Sequence, residues 1–121
     1  MKTVKAHDLA VRCLAILDNG TIVSGLRDGT IRLWTLESGQ LESRRVLRGH
    51  TAEVRNVQVY GDVIVSGSYD SDARVWSAKT GECLHILRGH RSHVHGVAYD
   101  GKRVATSSTD GDIRIWDSET G

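Results

Sequence analysis

Three near-copies of one segment run the length of the chain. The middle copy opens at Arg48-Gly-His-Thr-Ala-Glu-Val-Arg, passes through Val-Ser-Gly-Ser-Tyr-Asp at 65–70 and closes at Trp76. His50 and Trp76 lie 26 residues apart, as do His90 and Trp116, while His7 and Trp34 lie 27 apart. Asp28, Asp70 and Asp110 each stand six residues before their Trp, and a hydroxyl (Ser24, Ser66 or Thr106) stands four residues before each Asp. A period of 40 to 43 residues constrains the fold more than any composition does. One unit of that size cannot bury an apolar face alone, so the core must form where neighbouring units stack.

Each unit reads as four short strands. Runs such as Val63-Ile-Val and Thr30-Ile-Arg-Leu-Trp are β-branched or aromatic and are bounded by Gly and Asp turns, and the chain has no proline to interrupt a ladder. In the first unit the strands are expected over 11–17, 21–25, 30–34 and 40–47, with turns at 18–20, 27–29 and 37–39. The second unit repeats this over 54–60, 63–68, 73–76 and 82–87. The third gives 94–99, 103–107 and 112–116 and then stops at the turn 118–121, so its fourth strand is missing. Four-stranded units at this period, with Gly-His before the first strand and Trp on the third, predict an all-β chain of three β-propeller blades. The blades divide as 1–47, 48–88 and 89–121.

Closed rings of such blades usually hold about four to eight, so three leave the arc open. Residues 2–7 occupy the same place before the first blade that residues 85–90 occupy before the third, which makes them a spare fourth strand. Within three blades that strand cannot reach the unfilled edge. Two arrangements follow: an open arc cut from a longer chain, or half of a six-bladed dimeric ring in which 1–5 of one copy pairs with the 112–116 strand of another.

Charge and cysteine content narrow the function classes. Sixteen basic against fifteen acidic residues give a net charge of +1, which supplies no general field for nucleic acid or an anionic membrane, so any anion site must be local. Cys13 and Cys83 fall at different points of the repeat and read as reduced, inert thiols of a cytoplasmic or nuclear protein. The N-terminal residues lack the apolar core of a signal peptide, and the longest apolar run, 13–17, is far too short to span a bilayer. His90-x-x-His93-x-His95 invites a test against zinc, but no Cys or carboxylate completes a tetrahedral set at a recognised spacing. No phosphate-cradling glycine motif is present. No metal or cofactor is expected.

A His, a hydroxyl, an Asp and a Trp in each unit raise the question of nucleophilic catalysis. Threefold repetition argues for a structural role, since a catalytic site is needed once and a loop-holding network in every blade. Strand direction agrees: the start of the first strand and the turn between the second and third lie at one end of a blade, which sets His50 beside Asp70. In these motifs the chain resembles the WD-repeat family. The resemblance implies three buried hydrogen-bonded tetrads: His7, Ser24, Asp28 and Trp34; His50, Ser66, Asp70 and Trp76; His90, Thr106, Asp110 and Trp116. No catalytic residue is expected.

The same strand directions collect a second set. Arg12 and Arg55 each follow a tetrad His by five residues, at the start of an innermost strand, and Arg27 directly precedes Asp28 in the turn at that end. Glu53 is the one obvious carboxylate near them. Guanidinium groups on one rim suit a phosphorylated segment, because they grip phosphate bidentately and stay charged; solvated loop charges are the plainer alternative. The order Val11-Arg-Cys, Val23-Ser-Gly-x-Arg27-Asp28, Val46-Leu-Arg-Gly-His50, Val54-Arg55, Val65-Ser-Gly-Ser-Tyr69-Asp70 and Thr80-Gly-Glu-Cys-Leu-His85 resembles consecutive blades of the F-box/WD-repeat substrate receptors of cullin-RING ubiquitin ligases. That resemblance implies a phosphodegron-binding surface in which Arg12, Arg27 and Arg55 clasp phosphate and Tyr69 lines the same face. The competing expectation is a WD-repeat scaffold that binds its partner without phosphate.

Overall fold

The computed structural model describes residues 10–121. Among these residues eleven antiparallel strands form three sheets. The first sheet joins Val11–Ile16 (β1), Ile22–Leu26 (β2), Ile31–Glu37 (β3) and Gln40–Leu47 (β4) in chain order. The second joins Val54–Tyr60 (β5), Val63–Ser68 (β6), Ala73–Ser77 (β7) and Cys83–Leu87 (β8) in the same way. The third holds Val94–Tyr99 (β9), Arg103–Ser108 (β10) and Ile113–Asp117 (β11), three strands among the described residues. No helix among the described residues is long and apolar enough to cross a membrane. The expected spare strand at 2–7 lies outside the described residues.

Neighbouring sheets stack through the innermost strands β1, β5 and β9, and the core lies in two layers between them. One layer combines Val23, Ile31 and Leu33 of the first blade with Val54, Val57, Ile64 and Trp76 of the second. The other combines Val65, Ala73 and Val75 of the second with Val94, Val97 and Val104 of the third. The strand β6 sends alternate residues to opposite layers, as the two-residue period of a strand requires: Ile64 faces back and Val65 faces forward. This is the open arc of all-β blades that the repeat predicts.

The third strand of the first blade runs further than expected. The sequence pattern ends it at Trp34, yet the ladder continues through Thr35↔Glu42 and Leu36↔Leu41 to Glu37↔Gln40. Ser38 (φ 51°) and Gly39 (φ 79°) both take positive φ, and that two-residue turn matches the twist of the flanking strands, so pairing persists to its edge.

Candidate functional site

The middle tetrad is a continuous hydrogen-bonded chain. Trp76 Nε1–H donates to Ser66 Oγ at 2.8 Å, Ser66 Oγ lies 2.7 Å from His50 Nε2, and His50 Nδ1 lies 2.8 Å from Asp70 Oδ2. An ionised carboxylate only accepts, so Nδ1 carries the proton, and Nε2 of the neutral ring accepts from the serine hydroxyl. Asp70 is further held by the backbone N–H of Thr51 on Oδ2 (3.1 Å) and of Asp72 on Oδ1 (2.9 Å). Burial pushes the Asp70 carboxyl up, but the hydrogen bond from His50, together with those two N–H groups, outweighs it and holds the group below the usual aspartate range.

The third blade repeats the connectivity with a threonine. Trp116 Nε1–H donates to Thr106 Oγ1 (3.0 Å), Thr106 Oγ1 lies 2.7 Å from His90 Nε2, and His90 Nδ1 lies 3.0 Å from Asp110 Oδ2. The Arg91 N–H is the largest influence on Asp110; it prevails over burial with help from the Asp112 N–H and His90, and the carboxyl lies well below its usual range. In the first blade Trp34 Nε1–H donates to Ser24 Oγ at 2.9 Å. Asp28 Oδ1 accepts from Thr30 N (2.9 Å) and Thr30 Oγ1 (2.6 Å). His7 lies outside the described residues.

This atom order is that of an acyl-transfer triad, but its surroundings bar the chemistry. Ser66 is fully buried, and its oxygen gives its proton to His50 while taking one from Trp76. A nucleophile needs an open approach to a reacting carbon. What this network does is satisfy four buried polar groups at once and fix the loop before the first strand to the turn between the second and third.

That fixed end is the rim. The backbone N–H of Arg27 donates to Ala10 O (3.1 Å) and that of Tyr69 to Glu53 O (2.9 Å), so each turn sits beside the start of its own innermost strand. Register then decides where the rim side chains point. Pairing jumps from Val11↔Leu26 to Cys13↔Gly25, and from Val54↔Ser68 to Asn56↔Gly67, leaving Arg12 and Arg55 as β-bulge residues without a cross-strand partner. A bulge re-aims its side chain away from the ladder, and both guanidinium-bearing residues are exposed. The third blade bulges at the same point, between Gly96 and Val94, and the residue there is His95. The arginine pattern by itself leaves His95 off the rim, although its offset of five from His90 equals that of Arg12 and Arg55 from their own histidines.

The rim is uneven. Over the first two blades Arg12 Nε contacts Glu53 Oε1 at 3.0 Å, while Arg27 and Arg55 are exposed and make no ion pair among the described residues. Over the last two, the Tyr69 ring stacks on His93 (centroids 4.2 Å apart, planes at 15°) and meets His95 edge-on at 6.0 Å. His90 has both ring nitrogens engaged in the tetrad, and among the described residues no group of three or more His, Cys, Asp or Glu could hold a metal ion. The two thiols are free. Burial pushes the Cys13 thiol up to about 11, and its Sγ lies 3.6 Å from Val54 O of the next blade.

Comparison with known proteins agrees with this geometry. The family model "WD domain, G-beta repeat" matches residues 1–35, 41–77 and 81–117. WD repeat-containing protein pop2 of Schizosaccharomyces pombe is 37% identical over 114 residues, covering 67% of this chain and 16% of that protein. F-box/WD repeat-containing protein sel-10 of Caenorhabditis elegans is 40% identical over 71 residues, covering 57% and 12%. The chain thus spans a small part of these relatives. Among solved structures, the computationally designed Ika4 protein superposes with a TM-score of 0.87 at 37% identity, over 98% of this chain and 72% of that one. Repeat period, blade topology, tetrads and family model converge: the chain belongs to the WD-repeat family of β-propeller proteins, whose blades serve as protein-interaction modules.

Proposed function

We propose that the bulged rim binds phosphorylated protein segments, and that the chain is the phosphodegron-binding part of an F-box-type ubiquitin-ligase substrate receptor. Arg12, Arg27 and Arg55 take the phosphates, and Tyr69 packs beside the bound segment. The observation that carries this reading is the pair of register bulges, which turn Arg12 and Arg55 out of their ladders on the rim that also bears Arg27. Guanidinium groups bind phosphate through paired charge-assisted hydrogen bonds. The similarity to an F-box/WD repeat protein supports the same reading.

The Arg12–Glu53 ion pair favours a second reading, a scaffold that needs no phosphate, because Glu53 already answers one of the three charges. Calorimetry with a doubly phosphorylated Ser/Thr-Pro peptide and its unphosphorylated twin separates the two. The phosphate reading expects binding of the first peptide alone, weakening with salt. It also expects about a ten- to hundredfold loss for Arg27→Ala or Arg55→Ala, and tighter binding for Glu53→Ala. Equal affinity for both peptides establishes the scaffold.

A further inference from the structure

The two junctions inside this molecule are built from equivalent positions, and its two free faces carry the same positions uncovered. Val54 and Val57 of β5 bury against the first blade, and Val94 and Val97 of β9 bury against the second. Their counterparts in the first blade are Val11 and Leu14; Leu14 is 65% exposed and its strand neighbour Ile16 is 66% exposed. On the receiving side, Ile31 and Leu33 of the first blade and Ala73 and Val75 of the second are buried beneath the next blade. Their counterparts in the third blade are Ile113 and Ile115, which are 74% and 65% exposed. The chain therefore displays both halves of an interface that it already makes twice.

We propose that, in a polypeptide of these 121 residues, a second copy covers both faces, with the third blade of each copy docked head-to-tail on the first blade of the other to close a six-bladed ring. Continuity with the internal junctions identifies the partner surface, and closure identifies the number. Head-to-tail contacts either close into a ring or run on as a filament. At three blades per copy, six is the one multiple within the range of roughly four to eight blades that propellers close with. Closure leaves no apolar face in water.

One detail separates the new junction from the internal ones. Close to the rim, blades one and two pair a side chain on the first strand with glycine on the second, Cys13 with Gly25 and Asn56 with Gly67. The next blade's valine sits directly on that glycine: a Cβ there would come within 2.7 Å of Val54 Cγ1 or 2.8 Å of Val94 Cγ1. The third blade exchanges the pair, setting Gly96 opposite Ser107. Ser107 thus meets Val11 of the second copy where the internal junctions have no side chain. The contact between copies is correspondingly looser than those within a copy, and Ser107→Gly tightens it.

Light scattering and sedimentation equilibrium on the 121-residue chain test this without peptide, so the result is independent of the phosphate reading. Twice the chain mass is expected at micromolar concentration; a monomer, or an open series of higher species, overturns the proposal. Leu14→Arg and Ile115→Glu alter residues exposed in the single copy, and each alone weakens association about a hundredfold or more by burying an unpaired charge at both junctions. An equimolar mixture of the two restores a dimer, since one junction is then wild type and the other pairs Arg with Glu. A dimer broken by Leu14→Arg but untouched by Ile115→Glu means like-to-like pairing of first blades and refutes the ring. Ser107→Gly lowers the dissociation constant several-fold; a weaker assembly counts against the docking register. The wild-type mass decides the matter even if a variant fails to fold.

Discussion

The second and third blades hold the same tetrad with the same atoms in contact, yet their tryptophans are differently placed. Trp76 is almost fully buried, whereas Trp116 is only partly so. Both face the preceding blade. What differs is the outer side: Trp76 pairs with Cys83 on β8, and among the described residues no strand covers β11. The geometry of the network is set by one blade's own chain, because all four residues fall within a single unit. Its energetic weight is set by what seals the blade from water, since a hydrogen bond counts for more when water cannot compete.

The largest effect that could break this comparison is loss of a tryptophan. Trp76→Ala should cost about 3–5 kcal/mol, and Trp116→Ala clearly less, both read from urea unfolding midpoints. Equal losses would mean that the outer strand adds nothing. Asp70→Ala should cost about 1–3 kcal/mol by leaving His50 and the Thr51 N–H short of an acceptor, and the same change at Asp110 should lower the midpoint by less.

Acid gives the smallest and broadest effect. Asp70 and Asp110 are held below their usual range in the folded state, so their contribution is complete above the ordinary aspartate value of about 4 and is lost as pH falls through their lowered folded values. Asp72 runs the other way. Burial, aided by the charge of Asp70, raises it, and its protonation returns some stability as pH falls. The thermal midpoint should stay flat from neutrality to about pH 5 and decline below about pH 4, less steeply in Asp70→Ala. An unchanged slope in that variant would show that His50 does not hold the carboxylate charged.

The sequence was most legible where the answer depends on one blade. Positions of β5, β6 and β9 follow from β-branched runs bounded by turns, and His50 beside Asp70 follows from strand direction. What escaped sequence reading depends on pairing between segments. The bulges at Arg12, Arg55 and His95 are offsets of register between two strands, and no residue type announces them. The Tyr69–His93 stack and the Arg12–Glu53 ion pair cross from one blade to the next, so they exist only once blades have stacked. The extension of β3 to Glu37 turned on a serine accepting positive φ, which residue preference alone argues against.

The bulges also explain how a repeat can vary without unravelling. A residue with no partner across the strand contributes little to holding the sheet together, so arginine in two blades and histidine in the third occupy the same point while the ladder on either side continues unchanged. Such a position is an interchangeable fitting on a fixed frame. Each blade offers one, and the chemistry that a rim presents can be rewritten there one residue at a time while the fold beneath it stays the same.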